Sequence, residues 1–206
     1  MMDNRVKAII FDLGQVLIDL IPLNCMDYFT RLGATDIDKK LADKDFIRFL
    51  NDFELGNLSV KEFCAQMNSF LPLPVEENLI ADAWNSFLGE IPSYKLDAIL
   101  ELKKKYKVYL LSNTSALHWE YERDIYFTGY KGHTLDDFFD HAYTSYELHL
   151  LKPDKAIYQA VLNEEGLQPE EVFFLDDRAD NCQAAREMGI NVYEVTPGED
   201  WRHLFW

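Results

Sequence analysis

A change of hydrophobic period partway along the chain constrains its fold more than any other feature. Residues 6–11 form a short apolar run broken only by Lys7, and the run stops at Asp12-Leu13-Gly14. A run of this length and composition is a buried parallel strand whose functional end is Asp12. From Pro22 to about Leu88 the period turns helical. Phe46, Phe49, Leu50 and Phe53 fall at i, i+3, i+4 and i+7. Val60, Phe63, Cys64 and Met67 repeat that spacing behind a capping box formed by Ser59 and Glu62. Leu79, Ile80, Ala83, Trp84 and Phe87 carry it once more. Such aromatic stripes predict the core of a helix bundle rather than a cofactor box.

After Ile91-Pro92 a further amphipathic helix places Leu96, Ile99 and Leu100 on one face. From Lys107 onward strand and helix alternate. The apolar runs 108–111, 142–144, 172–175 and 191–195 predict strands. Helices are expected from about Ser115, over 153–163 before Gly166, and over 179–188 before Gly189. Alternation of this kind predicts an α/β chain with a doubly wound, mainly parallel Rossmann-like sheet. The helical block, residues 16–91, is then an inserted cap over the carboxyl edge of a core built from 1–15 and 92–206. Ligands bind at that edge in this architecture. The aromatic tail, 201–206, is expected to dock on the body or on a second subunit.

A length of 206 residues suits one body plus a sizeable insertion. Burial at that size reaches roughly 70% of the unfolded surface, so neither disulfide nor structural metal is needed. Hydrophobic residues at 48% and charged residues at 27% exclude wholesale disorder. Twenty Lys and Arg against thirty-six Asp and Glu leave a net charge of −16. Such a chain repels polyanions, which argues against nucleic acid or an acidic membrane as partner. An anionic ligand would need a strong local positive site. Cys25, Cys64 and Cys182 are odd in number and show no CxxC or zinc-type grouping, as expected of buried thiols in a reducing compartment. The first residues lack the apolar length of a signal peptide, and no stretch approaches a membrane span. The expectation is a cytoplasmic protein, monomer or homodimer.

Four spots carry chemistry: Asp12, Ser112-Asn113, Lys152 and Asp176-Asp177. Each lies where a strand gives way to a loop or helix. Singly, each has an ordinary explanation: a turn aspartate, a helix cap, a surface lysine before proline, an acidic pair capping the helix near Arg178. In this order, all at strand ends, they form one set.

That set resembles the haloacid dehalogenase-like superfamily of phosphohydrolases over nearly the whole chain. The motifs are IIFDLGQVLID (9–19), VYLLSNT (108–114), LKPDKAIY (151–158) and VFFLDDRADN (172–181), followed by AAREMGI (184–190). Together with Glu54-Leu55-Gly56 they look most like the branch of bacterial α-D-glucose-1-phosphate phosphatases. The resemblance implies that Asp12 attacks phosphorus and forms an aspartyl-phosphate that water hydrolyses. It implies Mg²⁺ as cofactor, held by Asp12, the Gly14 carbonyl and Asp177, with Asp176 in or just behind the ligand set and Asn181 orienting the acids. Ser112 and the backbone N–H of Asn113 would hold the phosphoryl oxygens, and Lys152 would neutralise phosphoryl group and nucleophile as charge moves between them. Glu54 and His118 are candidates for contact with the rest of a small phosphorylated metabolite, plausibly a sugar phosphate. Asp19, Tyr28, Phe53, Gly56 and Asn57 are further candidates on the cap side.

One position departs from the pattern. Most phosphatases of the superfamily place an aspartate two residues after the nucleophile as general acid, and here that residue is Gly14. Three readings stay open. The leaving group is acidic enough to depart with little help, as an anomeric hydroxyl is; or another group or water serves, with His118 and Gln15 as candidates; or the chain is a non-catalytic phospho-ligand sensor. The gap also argues against a phosphomutase. It brings in a metal-free 2-haloacid dehalogenase, since halide leaves without a proton. Against that stands Asp176-Asp177, which without a cation would put two unpaired carboxylates beside the nucleophile.

Overall fold

The computed structural model describes residues 4–35, 39–40 and 43–206. Five parallel strands form one sheet in the order β3-β2-β1-β4-β5: β1 Ala8–Phe11, β2 Lys107–Ser112, β3 His141–Thr144, β4 Val172–Asp176 and β5 Asn191–Glu194. β1 is central because all four of its residues are buried and need cover on both faces. Ile9 pairs with Val108 on one side and Phe173 on the other. The order places β2 and β3 to one side of β1 and β4 and β5 to the other. The crevice at the carboxyl ends of β1 and β4 is therefore the switch point of the sheet. Asp12 N–H donates to the Leu175 carbonyl at 2.8 Å, so the ladder runs one residue past β1 and fixes the nucleophile candidate at that crevice.

Two apolar layers sandwich the sheet. One gathers Ile9, Phe11, Leu110 and Leu175 with Leu96 and Ile99 of a helix over Ser93–Leu102. The other gathers Ala8, Ile10, Tyr109 and Phe174 with Ile157 and Val161 of a helix over Lys155–Glu165. That alternation along β1 is the period-two side-chain pattern of a strand. The helix over Lys155–Glu165 ends as expected on Gly166 in the left-handed region. The aromatic tail docks on the body: Trp201 is fully buried and its indole N–H donates to the Val16 carbonyl at 3.1 Å.

Four helices between β1 and β2 pack around a separate aromatic cluster: α1 Pro22–Arg31, α2 Lys44–Glu54, α3 Val60–Asn68 and α4 Glu77–Asn85. The predicted stripes are its core; Phe63 stacks on Phe53 at 4.0 Å between centroids and on Phe49 at 5.4 Å. The capping box before α3 is present, with Glu62 N–H donating to Ser59 Oγ and Ser59 N–H to the Glu62 carboxylate. Its worth is about 1 kcal/mol. Val16, Leu17 and Ile18, counted with the insertion in the sequence, pack under the sheet instead. The linkers entering and leaving the helical block pair antiparallel: Leu20 bridges Leu88, and Gly89 N–H donates to the Asp19 carbonyl at 2.7 Å. All three cysteines are buried and unbridged, and among the described residues no helix is long and apolar enough to cross a membrane.

Candidate active site

The ends of β1, β2 and β4 converge on one group, a lysine that the sequence placed at a strand end but that lies in the loop between the helices Ser145–Leu148 and Lys155–Glu165. Lys152, 4% exposed, donates from Nζ to Asp12 Oδ1 at 2.7 Å, to Asp176 Oδ2 at 2.7 Å and to the Leu111 carbonyl at 2.8 Å. All three ammonium protons are thereby used. Burial works against the charge, but the two carboxylates outweigh it and hold the lysine above its ordinary range. Asn113 supports it from behind. Its side-chain amide donates to the Lys152 carbonyl and accepts from the Lys152 N–H, both at 2.9 Å. The sequence assigned the backbone N–H of Asn113 to the phosphoryl group; its side chain has a separate task and locks the lysine backbone.

Asp12, Asp176 and Asp177 each offer an oxygen within 4.8 Å of the others. Burial raises Asp12 to about 7, Lys152 pulls it back and Asp176 pushes it up further. Burial and then Asp176 raise Asp177 as well. Asp176 is the most engaged of the three. Oδ1 accepts from Arg178 N–H at 2.8 Å and Asn181 Nδ2 at 3.0 Å, while Oδ2 accepts from Lys152. It therefore brackets Lys152, and the oxygens open to a cation belong to Asp12 and Asp177. Asn181 orients Asp176, as the sequence suggested, from the first turn of the helix Ala179–Glu187. An all-oxygen donor set crowded around a single ammonium is the chemistry of a hard divalent cation site.

A cavity of about 430 Å³ opens from this cluster toward the helical block. Gly14, Ser112, Asn113, Lys152, Asp177 and Arg178 line its polar end. Glu54 reaches it from the end of α2. Burial raises that carboxyl to about 7, opposed by the charges of Arg178 and Lys152. The Glu54-Leu55-Gly56 turn is fixed to the sheet side. Ser145 Oγ donates to the Glu54 carbonyl at 2.7 Å, and His149 Nδ1 lies 2.7 Å from the Leu55 carbonyl. Gly56, at φ +71°, leaves no room for a side chain; a Cβ there would stand 2.2 Å from the Tyr146 carbonyl oxygen.

His118 lines the cavity but is spent on packing. Its Nε2 lies 3.1 Å from the Trp84 carbonyl, and its ring stacks on Trp84 and Phe87. Burial lowers it to about 4, so it is neutral and fastens the helix Ala116–Glu122 to the block. At Gly14 the direction a side chain would take is filled: a Cβ would lie 3.0 Å from Leu20 Cδ1. Two charged lining residues escaped the sequence reading, Arg178 and Glu122. Arg178 was legible only as a cap neighbour, and Glu122 carried no signal.

A family model described as haloacid dehalogenase-like hydrolase matches residues 6–189. The D-ribitol-5-phosphate phosphatase of Bacteroides thetaiotaomicron is 32% identical over 197 residues, covering 96% of this chain and 95% of that protein. The sesquiterpene phosphatase astK of Aspergillus oryzae is 27% identical over 198 residues, covering 92% and 90%. A solved structure of the family enzyme bt-2542 from B. thetaiotaomicron, in complex with magnesium and inorganic phosphate, superposes with a TM-score of 0.92 at 40% identity. It covers 98% of this chain and 100% of that one. With these likenesses over nearly its full length, and with two aspartates and a serine set at strand ends around a buried lysine, the chain belongs to the haloacid dehalogenase-like hydrolases.

Proposed function

We propose that the protein is a Mg²⁺-dependent phosphatase of a small phosphorylated metabolite, a sugar or polyol phosphate such as α-D-glucose 1-phosphate, working through a phosphorylated Asp12. The observation that carries this is the buried Asp12–Lys152–Asp176 triad at the sheet's switch point, with Asp177 beside it. The likeness to a ribitol-phosphate phosphatase and to a magnesium and phosphate complex supports it. Asp12 and Asp177, with the Gly14 carbonyl, would hold the cation, which supplies charge neutralisation at the phosphoryl oxygens. Lys152 holds Asp12 in place for attack, and its charge offsets the negative charge passing between carboxylate and phosphoryl group. Ser112, 3% exposed at the end of β2, is placed to hydrogen-bond a phosphoryl oxygen, and the Asn113 side chain keeps Lys152 aligned. The helical block, without the core residues Val16, Leu17 and Ile18, acts as the cap that closes over the leaving group, with Glu54 in its path. The site is expected to work in a cytoplasmic monomer or homodimer.

A second reading concerns the organic half of the substrate. Much of the cavity's lining is apolar, with Met26, Phe29, Leu50, Met67 and Phe87 from the helical block. Such a lining suits a phosphate ester with a hydrocarbon body, and one relative acts on a sesquiterpene phosphate.

The test is phosphate release from 4-nitrophenyl phosphate and from a panel holding polyol, sugar and prenyl phosphates. Mg²⁺-dependent turnover that falls at least about 10³-fold in Asp12→Asn is expected. Binding of phosphate and Mg²⁺ without turnover on any ester would make the chain a sensor. Release of halide from a 2-haloacid without metal would make it a dehalogenase.

A further inference from the structure

Resting on the phosphatase reading, we propose that Glu122 is the acid–base catalyst of this site, supplying the proton that Gly14 cannot. Glu122 is the last residue of the helix Ala116–Glu122, which follows β2, and it lines the same cavity as Asp12, Gly14, Lys152 and Asp177. It is 2% exposed, and its Oε2 has no hydrogen-bond partner in the protein. A buried carboxyl oxygen left unpaired beside a cavity costs stability. Folding gives no return for that cost, whereas a bound hydroxyl or ester oxygen would.

The local backbone adds to the placement. Directly after Glu122 the helix widens into a π-type turn over Arg123–Phe127, a distortion that recurs at functional sites. One turn earlier Trp119 is buried against the sheet's core, which pins the helix.

The surroundings set the protonation state. Burial holds the carboxyl well above its ordinary value, and the charge of Asp12 raises it further. Tyr126, in the π-type turn, is the neighbouring titratable group and donates its hydroxyl to the Gly89 carbonyl. The cations of the cavity are engaged elsewhere: Lys152 with Asp12 and Asp176, and Arg178 with Asp180. Burial thus keeps Glu122 a proton donor in the same cavity as the nucleophile Asp12.

The steps balance. As Asp12 bonds to phosphorus and the ester P–O bond breaks, the Glu122 proton passes to the departing oxygen, giving free alcohol, aspartyl-phosphate and a Glu122 carboxylate. Water then bonds to phosphorus and gives a proton to that carboxylate as the Asp12–phosphorus bond breaks. Phosphate leaves, and both side chains return to their starting states.

The test is a leaving-group series on the Mg²⁺-loaded enzyme and on Glu122→Gln, Glu122→Asp and Glu54→Gln. For Glu122→Gln, kcat/KM on alkyl phosphates should fall about 100-fold or more, and on 4-nitrophenyl phosphate less than about tenfold, because nitrophenolate departs with little help. Glu122→Asp should recover part of the loss, and Glu122→Gln should lose the alkaline limb of its pH profile. Infrared difference spectra near neutral pH should lack one protonated-carboxyl band in Glu122→Gln. Equal losses across the series, or a leaving-group-dependent loss in Glu54→Gln instead, would overturn the role of Glu122 while leaving the phosphatase reading intact. A wild-type protein that turns over no ester with Mg²⁺ would overturn both.

Discussion

Glu54 shows how a single side chain couples the site to pH. Buried against Arg178 and Lys152, it titrates at about 7 rather than at 4.5. An acid harder to ionise in the folded state gives stability that is whole below the unfolded value and lost as pH rises through the folded one. Glu54→Gln should therefore leave the metal-free protein unchanged at about pH 4.5 and stabilise it by about 1–3 kcal/mol at about pH 8. Thermal melts at both values check this, and an equal gain at both would contradict it. Single residues were legible in the sequence where they ended a strand. Asp12, Ser112 and Asp176 stood out because polar residues closing apolar runs have few reasons to be there, whereas Lys152, in the loop before the helix Lys155–Glu165, was legible only through its motif. Glu122 did not, because the helix Ala116–Glu122 is too short for its period to separate an inward carboxyl from a solvated one. The partners of Asn113 and His118 were invisible for a different reason. Both bonds span more than 30 residues, and nothing local encodes them.

Between elements, the turn ending α2 is a latch. Gly56 lies against the Tyr146 carbonyl, while the carbonyls of Glu54 and Leu55 meet Ser145 and His149. Gly56→Ala forces both a left-handed φ on a residue with a side chain and a clash with backbone. It should cost about 2–3 kcal/mol in a urea melt and raise KM more than it lowers kcat, since Glu54 is displaced while Asp12 and Lys152 stay put. A loss below about 0.5 kcal/mol would show that the latch is loose. The long helices of the block were legible because three or four aromatic repeats outvote local propensity. The four-residue helices Leu135–Phe138 and Ser145–Leu148 were not, because one turn holds no period. Ser145 heads the second of these, which is why the latch had no trace in the sequence.

Across the whole molecule, the −16 charge and the local chemistry pull in opposite directions. Lys152 is buried and already shared between two carboxylates, so it projects little field beyond the cavity. The far field that an incoming phosphate dianion meets is repulsive, and salt screens it: the Debye length falls from about 30 Å at 0.01 M to about 8 Å at 0.15 M. Raising KCl over that range at fixed Mg²⁺ should increase kcat/KM for a phosphate ester severalfold, through KM. A decrease would mean that attraction extends past the cavity mouth. The sandwich itself was plain in the sequence from alternation alone. The join between its two parts was less so, since Val16, Leu17 and Ile18 look like cap residues by position and are core residues by packing. The bridge of Leu20 to Leu88 makes that join unusually economical. Chain enters and leaves the helical block through two linkers bonded to each other, so the sheet experiences the whole excursion as if it were one tight hairpin. A unit attached in that way can be lengthened, shortened or exchanged for another without moving a single strand, so Asp12, Ser112 and Asp176 stay where the sheet holds them.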